Sequence, residues 1–375
     1  MHGGVHQGGN MTFPSQPEEL TSAWLTQMLR NKGALGAENS VTDFSHEIIG
    51  AGVGVLGMVV RITLRYASPD SAGPVSVVAK VAHPEAANRA IANNTNMYER
   101  EVDFFNKTAH NVATPMPKCY FASMNYDTGG NIVVIEDLAA YDLGDQVTGA
   151  TPERVRMVID ALVPLHARYW NTWQLSFDNP MQINNDNYIE PFVPGFFGTW
   201  EMAIEKFADS FTPELIALMP KYVAGLRTIM REMGNRPMTL IHGDVRMDNA
   251  MFGNGKPGLL PVVMIDWQNV MVSTPMQDMA WMLGTSVTTK VRRQYEEEFL
   301  QYYVDEVNAA GITDYSLEQA RDDYGISLLF IFNYTMIMAG AFDPANERGR
   351  MMAQEGLRRA IASCPDRNLF SRIPG

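Results

Sequence analysis

The spacing of the apolar residues changes about a third of the way along the chain, and this change limits the fold more than any other feature. Before residue 136, short β-branched runs alternate with polar positions, as in residues 58–66 and 75–82, which is typical of strands. From Thr151 onward, apolar residues recur at helical spacing over long segments. We therefore predict an α+β fold of two lobes, with a small antiparallel sheet and one helix (residues 90–108) in the first lobe and mostly helices in the larger second lobe.

Two lobes also fit the length of the chain, because 375 residues exceed what a single compact core usually organises. We predict the first lobe over residues 17–136 and the second lobe over residues 137–375. The opening segment MHGGVHQGGNM has no apolar stretch and does not resemble a signal peptide. Residues 1–16 are therefore predicted to form a flexible leader.

The composition argues against several classes of partner. The formal net charge is −13, whereas nucleic acids and anionic membrane surfaces attract clusters of Lys and Arg. The chain has two cysteines, Cys119 and Cys364, which are too few for a disulfide scaffold or a zinc ribbon. We predict a cytoplasmic protein that binds neither nucleic acid nor membranes, and the composition leaves its oligomeric state open.

One segment, residues 325–342, carries no charged side chain. Its length is close to that of a membrane span. Ser327, Asn333 and Tyr334 make it polar for such a span, so we predict a helix buried among other helices.

The candidate catalytic residues begin with His242-Gly243-Asp244, and they continue with Asn249 and Asp266. Phosphoryl transfer needs a group that deprotonates or orients the attacking hydroxyl, and it needs oxygen ligands for the magnesium ion on the phosphates. An Asp and an Asn on one loop, with a second Asp after a nearby apolar run, can supply both. Each residue alone could simply mark a turn, but the three together favour a catalytic site.

A glycine-rich segment in the first lobe points to phosphate binding as well. Gly52, Gly54 and Gly57 fit the pattern G-x-G-x-x-G-x-V, which lets backbone amides approach phosphate. A strand pattern follows these glycines, whereas a dinucleotide fingerprint precedes a helix. Lys80 ends an apolar run, a poor place for a solvated charge unless its long side chain reaches the strand edge.

These motifs resemble those of the aminoglycoside phosphotransferase/choline kinase superfamily over most of the chain. Residues 241–252, IHGDVRMDNAMF, are similar to its catalytic loop, and residues 264–268, MIDWQ, are similar to its metal-binding segment. LHARYW (165–170) and IDWQ look like the ecdysteroid-kinase-like branch, while HGDVRMDN is similar to kinase domains associated with acyl-CoA dehydrogenases. The resemblance implies a protein-kinase-like fold and an ATP- and magnesium-dependent phosphotransferase that acts on the hydroxyl of a small molecule.

The resemblance also implies roles for residues of the second lobe. Asp244 would be the catalytic base, and Asn249 and Asp266 would be the magnesium ligands. We expect Arg246 to steady charge on the transferred phosphoryl group, although a surface position is the alternative. Asp278 would support the catalytic loop, unless it simply caps a helix.

In the first lobe, the resemblance implies that Lys80 binds the ATP phosphates and pairs with a Glu of the next helix. Both Glu99 and Glu101 are candidates, and the family pattern favours Glu101. The strand that ends near Glu136 would enter a hinge that holds adenine. The predicted cofactor-binding residues are therefore Gly52, Gly54, Gly57, Lys80, Glu101, Glu136 and Leu138.

Two questions about function stay open at this point. Gly replaces Arg in the His-Arg-Asp triplet of protein kinases, and Trp-Gln replaces Phe-Gly after Asp266, so a protein substrate is disfavoured. A catalytically silent nucleotide-binding or scaffold module is the alternative, although the expected Lys, Asp and Asn residues are all present. The aromatic residues between Phe192 and Phe211 either wall a fairly apolar alcohol or form helix core.

Overall fold

The computed structural model describes residues 12–50, 57–68, 73–175, 180–197, 199–341 and 346–374. The chain divides into two compact units. The first unit combines residues up to 102 with residues 118–137, and the second combines residues 103–117 with residues 138–375.

The first unit is built on an antiparallel sheet with the strand order β1-β2-β3-β5-β4. Its elements are α1 (Ser22–Asn31), β1 (Val41–Ile49), β2 (Gly57–Tyr66), β3 (Ser76–Ala82), α2 (Ala86–Asn94), α3 (Met97–Asp103), β4 (Cys119–Met124) and β5 (Asn131–Glu136). The alternating residues Val60, Ile62 and Leu64 of β2 are buried in one core with Leu25 and Leu29 of α1. The period-two pattern of the sequence therefore marks the buried face of this sheet.

The predicted leader differs from the structure at its end. Phe13 packs against the core of the first unit, and the backbone N–H of Ser15 donates to the Glu19 carboxylate at 2.7 Å. Residues 12–16 therefore belong to the folded unit because an apolar ring and a capped turn hold them. Residues 1–11 lie outside the described part of the chain.

The predicted helix over residues 90–108 is interrupted. Asn96 has φ +53°, a left-handed conformation that Asn tolerates better than most residues, and it separates α2 from α3. After α3, residues 104–108 form a π-helical turn. The periodicity of the sequence did not reveal this break, because a single left-handed residue leaves the apolar spacing almost unchanged.

The second unit is mainly helical. Its elements are β6 (Asp142–Leu143), α4 (Pro152–Tyr169), α5 (Asp186–Phe197), α6 (Trp200–Lys206), α7 (Pro213–Met233), β7 (Thr239–Ile241), β8 (Ala250–Phe252), β9 (Val262–Met264), β10 (Met271–Ser273), α8 (Met276–Trp281), α9 (Thr289–Ala309), α10 (Leu317–Ala341) and α11 (Glu347–Asp366). The short strands pair as β6-β8-β9 and as β10-β7, all antiparallel.

The predicted lobe boundary needs one correction. Residues 103–117 cluster with the second unit, whereas the sequence assigned them to the first lobe. The ring of Phe104 stacks on Trp267 at a centroid distance of 4.2 Å, and the Met264 N–H donates to the Pro115 carbonyl at 2.9 Å. These contacts join residues that are far apart in sequence, so local patterns could not reveal them.

Helix α10 contains most of the uncharged segment. By length and composition it is a membrane-span candidate, but 78% of its apolar window is buried inside the protein. The Tyr222 hydroxyl of α7 donates to the Leu329 carbonyl in this helix. The helix is therefore packed among other helices, as predicted.

Candidate active site

The residues of the predicted catalytic loop connect two short strands of the second unit. Residues 242–249 join β7 to β8, and Asp266 follows β9. The Ile265 N–H donates to the Asn249 carbonyl at 2.9 Å, and His242 Nε2 donates to the Ile265 carbonyl at 2.9 Å. These bonds bring the predicted base, Asp244, and both predicted magnesium ligands into one region.

Asp278, in the first turn of α8, holds the start of this loop. Its fully buried carboxylate accepts the backbone N–H groups of His242 and Gly243, each at 2.8 Å. Gly243 has φ +81°, and a Cβ there would lie 2.2 Å from the Asn269 carbonyl oxygen, so only glycine fits. Asp278 therefore supports the loop through its backbone, as the resemblance implied, and it does not cap its own helix.

His166 extends this support into the core. Its Nε2 lies 3.2 Å from the Asp278 carboxylate, and its Nδ1 lies 2.9 Å from the Tyr303 hydroxyl. His166 is fully buried. The chain Tyr303–His166–Asp278 connects α9 and α4 to the catalytic loop.

Asp244 combines burial with incomplete hydrogen bonding. Among the residues that the structure describes, its buried Oδ1 has no hydrogen-bond partner, and its Oδ2 lies 3.4 Å from Nε of Arg246. Burial raises the pKa of Asp244 above the ordinary value of an Asp, although the Arg246 guanidinium opposes this shift. An unpaired acceptor of raised basicity suits a group that receives a proton.

Arg246 is not a surface residue, since its side chain is 18% exposed. Burial acts to lower its pKa, but the carboxylates of Asp244, Asp266 and Asp248 outweigh burial and raise it. The guanidinium therefore stays charged next to the candidate base, where it can bind an anionic group.

Asn249 and Asp266 provide oxygen atoms suited to magnesium. The Asn249 Nδ2 donates to the Asp244 carbonyl at 2.9 Å, which fixes the amide with its oxygen as the remaining acceptor. Asp266 has φ 66° and ψ 68°, a left-handed conformation that is uncommon outside glycine and often occurs at functional sites. Next to it, Trp267 Nε1 donates to the Met264 carbonyl at 3.2 Å and anchors the turn.

The donor set fits magnesium better than a transition metal. In the described part of the chain, no group of three or more His, Cys, Asp or Glu side chains could hold a metal ion. Magnesium usually takes one or two carboxylates and completes its shell with phosphate oxygens and water. Asp266 and the Asn249 amide oxygen therefore fit this ion, with the remaining positions left to a nucleotide and solvent.

In the first unit, the structure pairs Lys80 of β3 with Glu101 of α3. The Nζ–Oε1 distance is 2.6 Å, and the two side chains are 16% and 4% exposed. Gly57 begins β2, and a Cβ there would lie 3.3 Å from the Val81 carbonyl oxygen. Gly52 and Gly54 lie outside the described residues.

The predicted hinge residues lie where β5 ends. The Glu136 N–H donates to the Lys118 carbonyl at 2.8 Å, so this amide belongs to the sheet. The Leu138 carbonyl accepts from the Tyr141 N–H at 2.9 Å. Between them, the Asp137 carboxylate accepts bonds from Arg61 and from the Ser76 hydroxyl, both at 2.7 Å, which anchors the strand end and was not anticipated from the sequence.

An aromatic cluster, Tyr188-Phe192-Phe330-Tyr334-Trp281, connects α5, α10 and α8. The ring of Phe192 lies 5.2 Å from Tyr188, 5.7 Å from Phe330 and 5.8 Å from Tyr334. Tyr334 in turn contacts Trp281 at 4.5 Å. Trp281 lies one turn after Asp278 on α8, so the cluster adjoins the element that holds the catalytic loop.

The remaining aromatic residues of this region differ in burial. Phe207 and Phe211 are buried, which agrees with helix core. Trp200 is partly exposed at the start of α6. The side chains of Phe196 and Phe197 lie outside the described part of the chain.

The sequence did not single out Asp248 or Arg348. Asp248 accepts the Gln146 N–H at 2.8 Å and the Arg348 guanidinium at 2.7 Å. Asp248 lies within the catalytic-loop motif, and this position was the feature of the sequence that could have identified it. Arg348 lies 100 positions further along the chain, and no local pattern marks it.

Comparison with solved structures identifies the class of fold. The chain is similar to a putative aminoglycoside phosphotransferase from Ralstonia eutropha (TM-score 0.52, 17% identity, 89% of this chain and 97% of that chain). It is also similar to an ethanolamine kinase from Plasmodium vivax (0.51, 13%, 90% and 86%) and to aminoglycoside 2′-phosphotransferase-IIIa in its GDP complex (0.51, 14%, 92% and 99%). This confirms the predicted protein-kinase-like α+β fold.

Residues 52–311 match the ecdysteroid kinase-like family, and the chain belongs to that family. A curated relative, the uncharacterized oxidoreductase dhs-27 of Caenorhabditis elegans, is 23% identical over 318 residues. The match covers 78% of this chain and 38% of that protein, so the chain spans well under half of the relative's length.

Proposed function

We propose that this protein transfers the γ-phosphate of ATP to the hydroxyl group of a small molecule. The observation that carries the proposal is the geometry of Asp244. Within the described part of the chain its buried Oδ1 has no hydrogen-bond partner, and its loop is held at both ends. Membership of the ecdysteroid kinase-like family supports the same reaction class.

In this mechanism Asp244 accepts the proton of the acceptor hydroxyl while the hydroxyl oxygen bonds to the γ-phosphorus. The bond from that phosphorus to the bridging oxygen breaks, and ADP leaves with the electron pair. Arg246 lies beside Asp244, and its guanidinium donates to the oxygens of the transferred group. Magnesium, when bound by Asn249 and Asp266, would neutralise charge on the phosphates.

Lys80 is proposed to bind the α- and β-phosphates. Its ion pair with Glu101 holds the ammonium group in one place, which lowers the entropy lost when phosphate binds. Gly52, Gly54 and Gly57 are proposed to approach the phosphates through their backbone amides. Glu136 and Leu138 are proposed to hold adenine through backbone groups, with the Leu138 N–H as the donor because the Glu136 N–H already bonds the Lys118 carbonyl. One structural relative was solved with GDP, so GTP is tested beside ATP.

The acceptor is proposed to be a fairly apolar alcohol. The aromatic cluster around Phe192 adjoins α8, and its rings Phe192 and Tyr334 are partly exposed. These two rings are proposed to contact the acceptor, because aromatic rings bind apolar or cationic ligands well. The structural relatives include an ethanolamine kinase and an aminoglycoside phosphotransferase, which makes amino alcohols the comparison class. A silent nucleotide-binding module remains the alternative function.

The test is ADP release with magnesium and ATP or GTP over a panel of sterols, hydroxy acids, choline, ethanolamine and aminoglycosides. Asp244→Asn is expected to bind nucleotide but to lose about 10²–10⁴-fold in turnover, because it cannot accept the proton. The matched control, Asp314→Asn, changes an exposed Asp of the same unit and is expected to keep full activity.

If Asp244→Asn keeps its turnover, Asp244 is not the catalytic base. Nucleotide binding without turnover on any acceptor would favour the silent module. A wild-type protein that binds neither ATP nor GTP would overturn the proposed function.

A further inference from the structure

The two ends of the catalytic loop have separate anchors. Asp278 holds the start of the loop through the N–H groups of His242 and Gly243. Asp248, directly before Asn249, anchors the other end with a side chain that is 4% exposed. Its Oδ2 accepts the Gln146 N–H at 2.8 Å, and its Oδ1 accepts Arg348 at 2.7 Å.

Arg348 lies in the first turn of α11 and joins two carboxylates. The same guanidinium nitrogen, Nη2, also donates to Asp145 at 2.8 Å. Burial acts to raise the pKa of Asp145, but bonds from Thr148 and Arg348 lower it to about 2. The carboxylate therefore stays charged at neutral pH and keeps Arg348 in place.

A second arginine of α11 secures the same segment. Arg359 donates to the carbonyl groups of Gln146 and Val147 at 2.5 and 2.7 Å, and to that of Thr285 at 2.9 Å. The segment 145–147 thus receives bonds from α11 and donates one to Asp248. Helix α11 is therefore connected to the catalytic loop both directly and through this segment.

The position of Asn249 depends on this anchor because Asp248 and Asn249 share one short turn. Residues 247–249 form a 3₁₀ turn, and the Asn249 N–H donates to the Arg246 carbonyl at 2.9 Å. We therefore expect a change in the Asp248 side chain to shift the turn that carries the Asn249 amide. Removing Arg348 would leave a buried carboxylate without its cationic partner, which favours rearrangement of the turn.

We propose that Arg348 is a positioning residue that fixes the Asn249 end of the catalytic loop and thereby sets the affinity for magnesium. It acts through Asp248 and does not contact the reacting atoms. This inference rests on the proposed function, because it assigns the metal to Asn249 and Asp266.

The test compares Arg348→Ala and Arg348→Lys with Arg350→Ala. Arg350 is exposed on the same helix, and its side chain bonds Gln354, so it is a matched control. The first readout is the magnesium concentration for half-maximal ATP binding, measured by calorimetry. The second is hydrogen exchange of the peptide spanning residues 244–252, measured without nucleotide.

In Arg348→Ala we expect the magnesium requirement to rise about 10-fold. This is the lower end of the range seen when a group bonded to a metal ligand is removed, because Arg348 acts one step further away, through Asp248. Exchange in residues 244–252 should become faster. Arg348→Lys should recover part of both effects, because it keeps the charge but loses the fork geometry. Arg350→Ala should match the wild type.

An unchanged magnesium requirement in Arg348→Ala, with a wild type that binds magnesium and ATP, overturns the inference and leaves the proposed function intact. Faster exchange without a change in magnesium requirement also overturns it, because Arg348 would then be purely structural. If Arg348→Ala does not fold, Arg348→Lys and Arg348→Gln give the same comparison. A wild type that binds no nucleotide removes both the proposed function and this inference.

Discussion

Asp244 and Asp266 both adopt arrangements that a residue selected only for stability would avoid. Asp244 buries a carboxylate oxygen that bonds no donor among the described residues, and Asp266 holds a left-handed backbone. Each arrangement costs free energy that surrounding contacts must offset. The occurrence of both arrangements at neighbouring positions of one site favours a functional role more strongly than either arrangement alone.

The burial of Asp244 predicts that Asp244→Asn stabilises the fold at neutral pH. Burial raises the pKa of this carboxyl in the folded state, so its charge destabilises the protein above the pKa of the unfolded chain. An Asn carries no charge, and we expect a gain on the order of 1 kcal/mol near pH 7.5. The gain should shrink as the pH falls towards 4, where the Asp becomes neutral as well.

Thermal unfolding between pH 4.5 and 8 measures this difference, with Asp314→Asn as the control that should not shift. A lower melting temperature for Asp244→Asn at neutral pH would show that the ion pair with Arg246 outweighs the burial of the carboxylate.

At the scale of secondary-structure elements, helix α8 joins the catalytic loop to the aromatic cluster, although it has only six residues. Its first turn holds the catalytic loop through Asp278, and its last residue, Trp281, joins the aromatic cluster. Helix α4 contributes His166, which bonds the same Asp278 carboxylate. The loop is thus positioned by elements that take no part in the chemistry.

This arrangement predicts that Asp278→Ala is strongly destabilising. The change leaves the N–H groups of His242 and Gly243 buried without an acceptor, and each such group costs about 1–3 kcal/mol. We expect a loss of about 2–5 kcal/mol in the free energy of unfolding, measured in urea. Asp314→Ala, at an exposed position, should lose less than about 0.5 kcal/mol; a similar small loss for Asp278→Ala would contradict the role of α8.

For the whole molecule, two of the predicted groups belong to different units. The Lys80–Glu101 pair belongs to the first unit, and the loop with Asp244 belongs to the second. A nucleotide that binds the folded protein stabilises it as a whole, whichever unit supplies the contact. Thermal stability therefore reports nucleotide binding before any acceptor is known.

We predict that magnesium and ATP raise the melting temperature of the wild type. At about 100 times the dissociation constant, the gain in stability is about 2.7 kcal/mol. Lys80→Ala should lose most of this shift, because it removes the proposed phosphate contact, whereas Lys32→Ala, at an exposed position of the same unit, should keep it. Adding EDTA to the wild type should reduce the shift, and a shift that is insensitive to both Lys80→Ala and EDTA would contradict the proposed site.

The sequence by itself determined the fold class and the candidate reactive groups. Strand alternation up to residue 136 and helical spacing after Thr151 reflect local burial, which depends on near neighbours. Asp244, Asn249 and Asp266 lie within a short span because one loop and the residues just after β9 supply them. Their spacing is therefore visible in the chain, and so is Lys80 at the end of an apolar run.

Only the tertiary structure decided how these groups are held. It pairs Lys80 with Glu101. Glu99 and Glu101 point to different faces of α3, so the choice between them depends on how this helix packs. It also brings Arg348 to Asp248 and His166 to Asp278, each across at least 100 positions of the chain. No local spacing in the sequence marks such pairs, because the packing of distant elements brings them together. Local periodicity shows only which residues are buried.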